Sequence, residues 1–149
     1  MSKTVLLLSL VVSVGLLALS PAAEARDDRI RFSVDAAMST SDAQTKLGDE
    51  VQFFFGEGNH PAVARTIGNW QSNKKSNGVG YSDEQSCNRA FLSAMISLRD
   101  RAVKEGGNAV VNIVSFYKRN HYSSESEFEC GAGRIMAGVT FRGDVVVLE

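Results

Sequence analysis

The chain has 149 residues, 44% of them hydrophobic, with 16 basic and 17 acidic side chains and a net charge of −1. That length is sufficient for one domain with its own core. The near balance of charge argues against a dedicated nucleic-acid binder, which carries a basic excess, and equally against a strongly acidic binder of cations.

Residues 1–25 read as a targeting segment. Lys3 supplies a short basic start, residues 4–19 are apolar apart from small Thr, Ser and Gly, Pro21 breaks the run, and Ala23-Glu24-Ala25 gives a small-x-small cleavage pattern. Cleavage is expected between Ala25 and Arg26, which leaves residues 26–149 as a single domain. An uncleaved membrane anchor is the competing reading; against it, the apolar run is short and no second one follows. No cysteine stands at the cleavage point to accept a lipid. Because the segment holds one basic and one acidic residue, Lys3 and Glu24, the remaining domain also carries −1.

Residues 30–34 alternate polar and apolar and could form an edge strand. Residues 39–47 suit a short helix, with Ser39, Thr40 or Ser41 as its cap and Gly48 as its stop. Val51, Phe53 and Phe55 share one face of the next strand, and residues 56–61 form a turn-rich loop. Residues 63–72 alternate weakly and are read as a strand; residues 74–80, with Lys74-Lys75, are read as a flexible loop. Ser82 then opens the main helix. Gln85 lies three residues on, which makes a capping box, and Asp83 and Glu84 suit the positive end of the helix dipole. Cys87, Ala90, Phe91, Ala94, Met95, Leu98, Ala102 and Val103 recur at helical spacing and make one core-facing stripe. Gly106-Gly107 ends the helix, since the position after a last turn favours a positive φ. Residues 109–117 are β-branched, aromatic and almost continuously apolar, as an interior strand is. A polar loop follows over 118–124. Residues 127–141 hold one bent strand or two, broken at Gly131-Ala132-Gly133, with Ile135, Ala137, Val139 and Phe141 facing inward. Gly143-Asp144 reads as a turn before a terminal strand over 145–148. The order predicts an α+β fold: a single small domain, one main helix over about residues 82–105 packed on an antiparallel or mixed β-sheet.

The cysteines support that layout. Cys87 lies on the helix stripe, and strand alternation puts Phe128 and Cys130 on one face with Glu127 and Glu129 on the other. Both sulfurs then point into one helix–sheet interface, and an exported chain meets an oxidising compartment, so the pair reads as a disulfide. The competing reading is a redox-active or metal-binding pair, for which CxxC spacing is lacking.

The run Ala90-Phe91-Leu92-Ser93-Ala94-Met95, the stretch Lys104-Glu105-Gly106-Gly107-Asn108-Ala109-Val110-Val111-Asn112-Ile113 and the segment 122–133 with Glu129-Cys130-Gly131-Ala132-Gly133 carry a resemblance. Over nearly all of residues 26–149 the chain resembles a family of small exported bacterial proteins of unknown function, whose members often bear the name "excinuclease ATPase subunit" or a similar excinuclease ABC name. More distantly, the helix ending in Gly-Gly-Asn-Ala-Val-Val is similar to the core of YbjQ-like proteins and of the outer-membrane stress sensor RcsF. The resemblance implies a helix packed on a small sheet after the same glycine–asparagine turn. RcsF is a disulfide-bonded lipoprotein, and this chain has no lipidation cysteine. The excinuclease name implies an ATPase, which needs GxxxxGK[ST] to wrap phosphates in backbone amides. No such run exists here, and Gly56-Glu57-Gly58 and Gly131-Ala132-Gly133 lack the lysine.

Candidate chemistry is sparse. His60 and His121, in polar loops, could ligate a metal only with a third ligand brought near; solvated loop histidines are the alternative. Glu125, Glu127 and Glu129 could bind a cation or a basic partner, or form the wet, aggregation-resistant face of an edge strand. Lys74-Lys75 near Trp70 and Tyr81 could meet an anionic polymer, or be plainly solvated. No GxSxG elbow or Ser-His-acid order stands out. Asn108 suits support of the turn after the double glycine. Asn112, polar within an apolar strand, needs a hydrogen-bond partner if buried and is the residue most suggestive of a small pocket. No cofactor, metal site or nucleic-acid partner is expected, nor a membrane span once residues 1–25 are removed. The expectation is a periplasmic or secreted, non-enzymatic binding or stress-related module whose partner is an envelope protein or a small ligand. The alternatives are a hydrolase or thiol-redox enzyme with an unrecognised site, and a purely structural envelope component.

Overall fold

A computed structural model describes residues 26–149; the expected leader and the expected cleavage point after Ala25 lie outside the described residues. In chain order the elements are β1 (Asp28–Ser33), α1 (Val34–Met38), α2 (Ser41–Leu47), β2 (Gln52–Phe55), β3 (Val63–Asn77), α3 (Asp83–Glu105), β4 (Ala109–Ser115), a 3-10 turn (Tyr117–Arg119), β5 (Glu127–Ala132) and β6 (Met136–Leu148).

Helix α3 forms as its caps dictate. The Ser82 hydroxyl accepts from the Gln85 N–H at 3.1 Å while the Gln85 side chain accepts from the Ser82 N–H at 3.0 Å. At the far end Gly106 takes φ 81° and turns the chain sharply into β4. The stripe from Cys87 to Ala102 is buried, whereas Val103, also expected on it, is 42% exposed.

The sheet has six strands and is mixed. β2 and β4 run parallel, and every other pairing is antiparallel. β6 is its hub. β3 lies along the whole of one side of β6; on the other side β5 pairs at Gly138 and Ala137, and β4 pairs from Phe141 to Val146. β1 closes one edge beyond β5, and β2 the other beyond β4. Helix α3 covers one face, and the core between them is aromatic: Phe91 lies 4.7 Å from Phe128, 5.5 Å from Phe141 and 5.9 Å from Phe55 between ring centroids. Cys87 and Cys130 are bonded to each other within it, both fully buried, so the expected helix–sheet disulfide is present. A second, smaller cluster of Ala109, Val111, Val146 and Leu148 has Phe54 and Val63 packed against it.

Four expectations give way here. Lys74 to Asn77 is no loop: it is the end of β3, paired residue by residue with Val139 to Met136. These residues have low strand propensity, and a complete partner strand overrides it. Gly143-Asp144 is no turn either, for β6 runs straight through it. A Cβ at Gly143 would come within 2.7 Å of Val110, so the glycine permits close strand approach instead. Ile135, expected inward, lies in the β5–β6 turn and is exposed. Finally β5 is interior, between β1 and β6. Alternation does separate its glutamates from Phe128 and Cys130, but Glu129 is only 2% exposed. It accepts from the Asn120 side-chain amide at 2.8 Å and faces Arg31 at 3.6 Å and Arg29 at 4.0 Å. A charge can stay buried when it is paired and hydrogen-bonded in this way.

The expected strand into Tyr117 stops at Ser115 because the chain turns there to lay the Tyr117 ring over two glycines. A Cβ at Gly131 would sit 2.1 Å from that ring, and one at Gly138 would sit 3.1 Å from it. The Tyr117 hydroxyl donates to Asp27 at 2.8 Å, and Lys118 pairs with the same carboxylate. Burial, and then the Asp27 hydrogen bond, push the Tyr117 phenol up to about 12. Lys118, and then Tyr117, hold Asp27 below the usual carboxylate range. The raised phenol stabilises the fold fully below its unfolded pKa of about 10, and that contribution is lost as pH rises through its folded value. The lowered Asp27 contributes above the ordinary carboxylate range and loses its contribution as pH falls through its folded pKa. We expect an ultraviolet titration of the folded protein to show a tyrosine ionising near pH 12. Gly131→Ala, which evicts the ring, is expected to bring that tyrosine back toward the ordinary value; an unchanged titration would sink this account.

Candidate functional site

On the face of the sheet away from α3, a cleft of about 490 Å³ is lined by Glu57, Asn69, Asn112, Val114, His121, Arg142 and Asp144. Its centre is a fault in strand pairing. β4 and β6 are in register at Val111↔Asp144 and again at Val114↔Arg142, with a shift between them. That shift is a bulge, and Asn112 occupies it at φ 53°. Asparagine tolerates the left-handed region better than most side chains. Its amide also offers both a donor and an acceptor. The Oδ1 accepts from the Gly58 N–H at 2.8 Å, and the Nδ2 donates to Asp144 Oδ2 at 2.8 Å. Asn69, across β6 on β3, donates to the other oxygen, Asp144 Oδ1, at 2.8 Å. Two amides therefore fix the Asp144 carboxylate without a cation.

The β2–β3 loop reaches this centre because Gly56 and Gly58 both take positive φ, 84° and 76°. Between them Glu57 meets His121, from the loop after β4, with Oε1 and Nε2 2.9 Å apart. The Glu57 N–H donates to the Ser123 hydroxyl at 3.1 Å. No hydrogen bond joins that hydroxyl to His121, so the three side chains do not form a relay that would activate a nucleophile. The Arg142 guanidinium carbon lies over the Phe116 ring, 4.4 Å from its centroid, and Arg142 makes no ion pair among the described residues. The cleft thus holds a cation free to take an anionic group beside fixed amides and the carboxylates of Asp144 and Glu57.

Of the residues singled out from sequence, Asn112 is in this cleft, with the partners its position demanded. Glu125, Glu127 and Glu129 do not form a site together. Glu125 is an exposed loop residue, Glu127 accepts from the Tyr122 hydroxyl at 2.9 Å, and Glu129 is the buried ion-pair member described above. His60 contacts the Pro61 carbonyl at 2.8 Å and, unlike His121, does not line this cleft. Among the described residues, no three of His, Cys, Asp and Glu stand where they could hold a metal ion. Lys74 and Lys75 alternate across β3. Lys74 lies in a groove with Arg101 and Lys104 of α3, while Lys75 packs beside Gly138. Their aromatic neighbours are engaged separately, Trp70 under Arg101 and Tyr81 under Arg89. Asn108 supports its turn as expected, its Oδ1 accepting from the Leu148 N–H at 2.8 Å. Arg26, the first described residue, pairs with Asp28 and Asp83. Glu57, Asn69, His121, Arg142 and Asp144 were not joined by sequence reasoning. The available signal was Asn112 itself and the Gly-Glu-Gly loop.

No protein-family model matches this chain, and neither does any curated protein or solved structure.

Proposed function

We propose that the chain is an exported, periplasmic or secreted, non-enzymatic binding module, and that its ligand site is the cleft around Asn112. The observation that carries this reading is Arg142, a cation without an ion pair among the described residues, held against Phe116 beside amides and a carboxylate already locked in place. Side chains fixed before binding lower the ordering cost of recognition. A small ligand bearing both a negative and a positive group fits this arrangement, the former at Arg142 and the latter toward Asp144 and Glu57. Free amino acids, short peptides and the exposed terminus of an envelope protein all have that chemistry. The buried disulfide supports an oxidising compartment, and no helix among the described residues is long and apolar enough to cross a membrane. The resemblance to small exported bacterial proteins points the same way. The excinuclease name that travels with that resemblance brings no phosphate-binding lysine, and we infer no ATPase activity from it.

The reading is tested by nuclear magnetic resonance on the oxidised protein with a panel of amino acids and dipeptides. We expect at least one to shift the side-chain amides of Asn69 and Asn112, and Arg142→Gln to abolish the shift while leaving the amide of Asn108 unmoved. No response of the cleft amides to any member, or an equal response in Arg142→Gln, would remove the proposal. Conversion of a panel member to product would instead support an enzyme.

A further inference from the structure

Strand β3 is the longest in the sheet, and all of its pairings are with β6. Its other edge is therefore unpaired among the described residues. From Gly68 to Asn77 the register with β6 runs without a shift, and no proline interrupts it. Gln71, Asn73, Lys74, Lys75 and Asn77 are exposed along this stretch. A row of unpaired N–H and C=O groups is a template for one more strand, and native sheets commonly shorten, bulge or cover such an edge. Here a long, regular one stays open.

The charge on and beside this edge has one sign. β3 carries Arg65, Lys74 and Lys75 and no acidic residue. Next to it, a groove of about 520 Å³ separates Lys74 from Ile96, Asp100, Arg101 and Lys104 of α3. Asp100, the one acid lining this groove, is already paired with Arg99 at 2.7 Å. Arg101 pairs with Glu105 at 3.1 Å and lies over the Trp70 ring. Arg65, Lys74, Lys75 and Lys104 make no ion pair among the described residues. The whole chain carries −1, so this cluster is a local segregation of cations and not a reflection of composition.

We propose that this edge and groove bind an extended acidic segment of a partner protein, which adds a strand to β3. In such a contact main-chain hydrogen bonds give affinity and alternate side chains give specificity. One set of alternate residues in the added strand faces α3. Aspartate or glutamate there meets Lys74 and Lys104 across the groove, and an acid on the opposite face meets Lys75. A second copy of β3 fits poorly, because it brings the same cations and like charges across a strand pair are destabilising.

The probe is a fluorescent peptide of alternating threonine and glutamate, about ten residues long. It is titrated against the full oxidised chain and followed by anisotropy and by hydrogen exchange of the backbone amides. We expect saturable binding, with slower exchange at those amides between Gly68 and Asn77 that exchange fastest without peptide. Lys74→Gln/Lys104→Gln should weaken binding at least tenfold. Lys46→Gln, on α2 and outside the groove, should leave it unchanged. No binding, binding unaltered in the double variant, or binding that slows no β3 amide overturns the proposal. So does equal slowing by inorganic polyphosphate, which would make the site a plain anion patch. Slowing that grows with protein concentration without peptide would make β3 an interface between copies and overturn it equally.

Discussion

Removing the Cys87–Cys130 bond is expected to lower unfolding stability by about 4 kcal/mol. The bond joins positions 43 residues apart, and a crosslink across such a loop chiefly restricts the unfolded chain. Domains of this size have a total stability of roughly 5–15 kcal/mol, so the loss is a large fraction of the whole. Two further facts add to it. Both sulfurs are fully buried between α3 and β5, and the bond ties the two main layers together, so reduction leaves two thiols in a site shaped for a bridge. The measurement is a pair of urea titrations, oxidised and reduced, with the double variant Cys87→Ala/Cys130→Ala as a control free of thiol chemistry. A drop of several kcal/mol is the expected result in both. Midpoints that coincide to within the error of extrapolation would show that the bond is incidental to stability.

Phe91→Ala is expected to cost about 3–5 kcal/mol. Phe91 is fully buried and touches the rings of Phe55, Phe128 and Phe141, which come from β2, β5 and β6. A cavity there removes aromatic contacts to three strands at once, and the disulfide nearby limits how far the helix can settle inward. Val103→Ala is the informative comparison. It lies on the same helix at a position the apolar spacing also marked, but it is 42% exposed, so its loss should fall within about 0.5 kcal/mol. Chemical denaturation of the two variants beside wild type decides the matter. Similar costs for both would mean that the helix is seated differently from this structure.

Where the sequence was informative, the information was local. The cap at Ser82, the glycines after Glu105 and the spacing from Cys87 to Ala102 all act within a few residues, and α3 follows from them directly. The disulfide was legible because two local periods, one helical and one strand-like, each placed a sulfur on an inward face. What misled was decided by distant partners. Lys74 to Asn77 become strand only because β6 pairs with them, Gly143 serves a neighbouring strand rather than a turn, and Glu129 is buried by arginines of β1 and an amide from a loop. The cleft has the same character. Asn112 stood out as a polar break in an apolar run, but its companions arrive from β3, β6 and two loops, and no spacing in the chain announces their meeting.

The position of β6 in the chain has a consequence for how the domain comes into being. β6 is the hub of the sheet, yet it is the last of the described strands in sequence, and β3, β4 and β5 all wait for it. A chain that is synthesised from its first residue onward therefore delivers every partner before the strand that joins them. Until β6 emerges, β3 has no hydrogen-bonded neighbour and β4 has only β2. Cys87 and Cys130 both precede it in the chain, so the bond between them can form before the sheet assembles. The same timing leaves a long, partner-less β3 edge in the half-delivered chain, the kind of surface on which strands from other molecules pair. Lys74 and Lys75 lie on that strand, and charged side chains of this kind discourage edge-to-edge pairing.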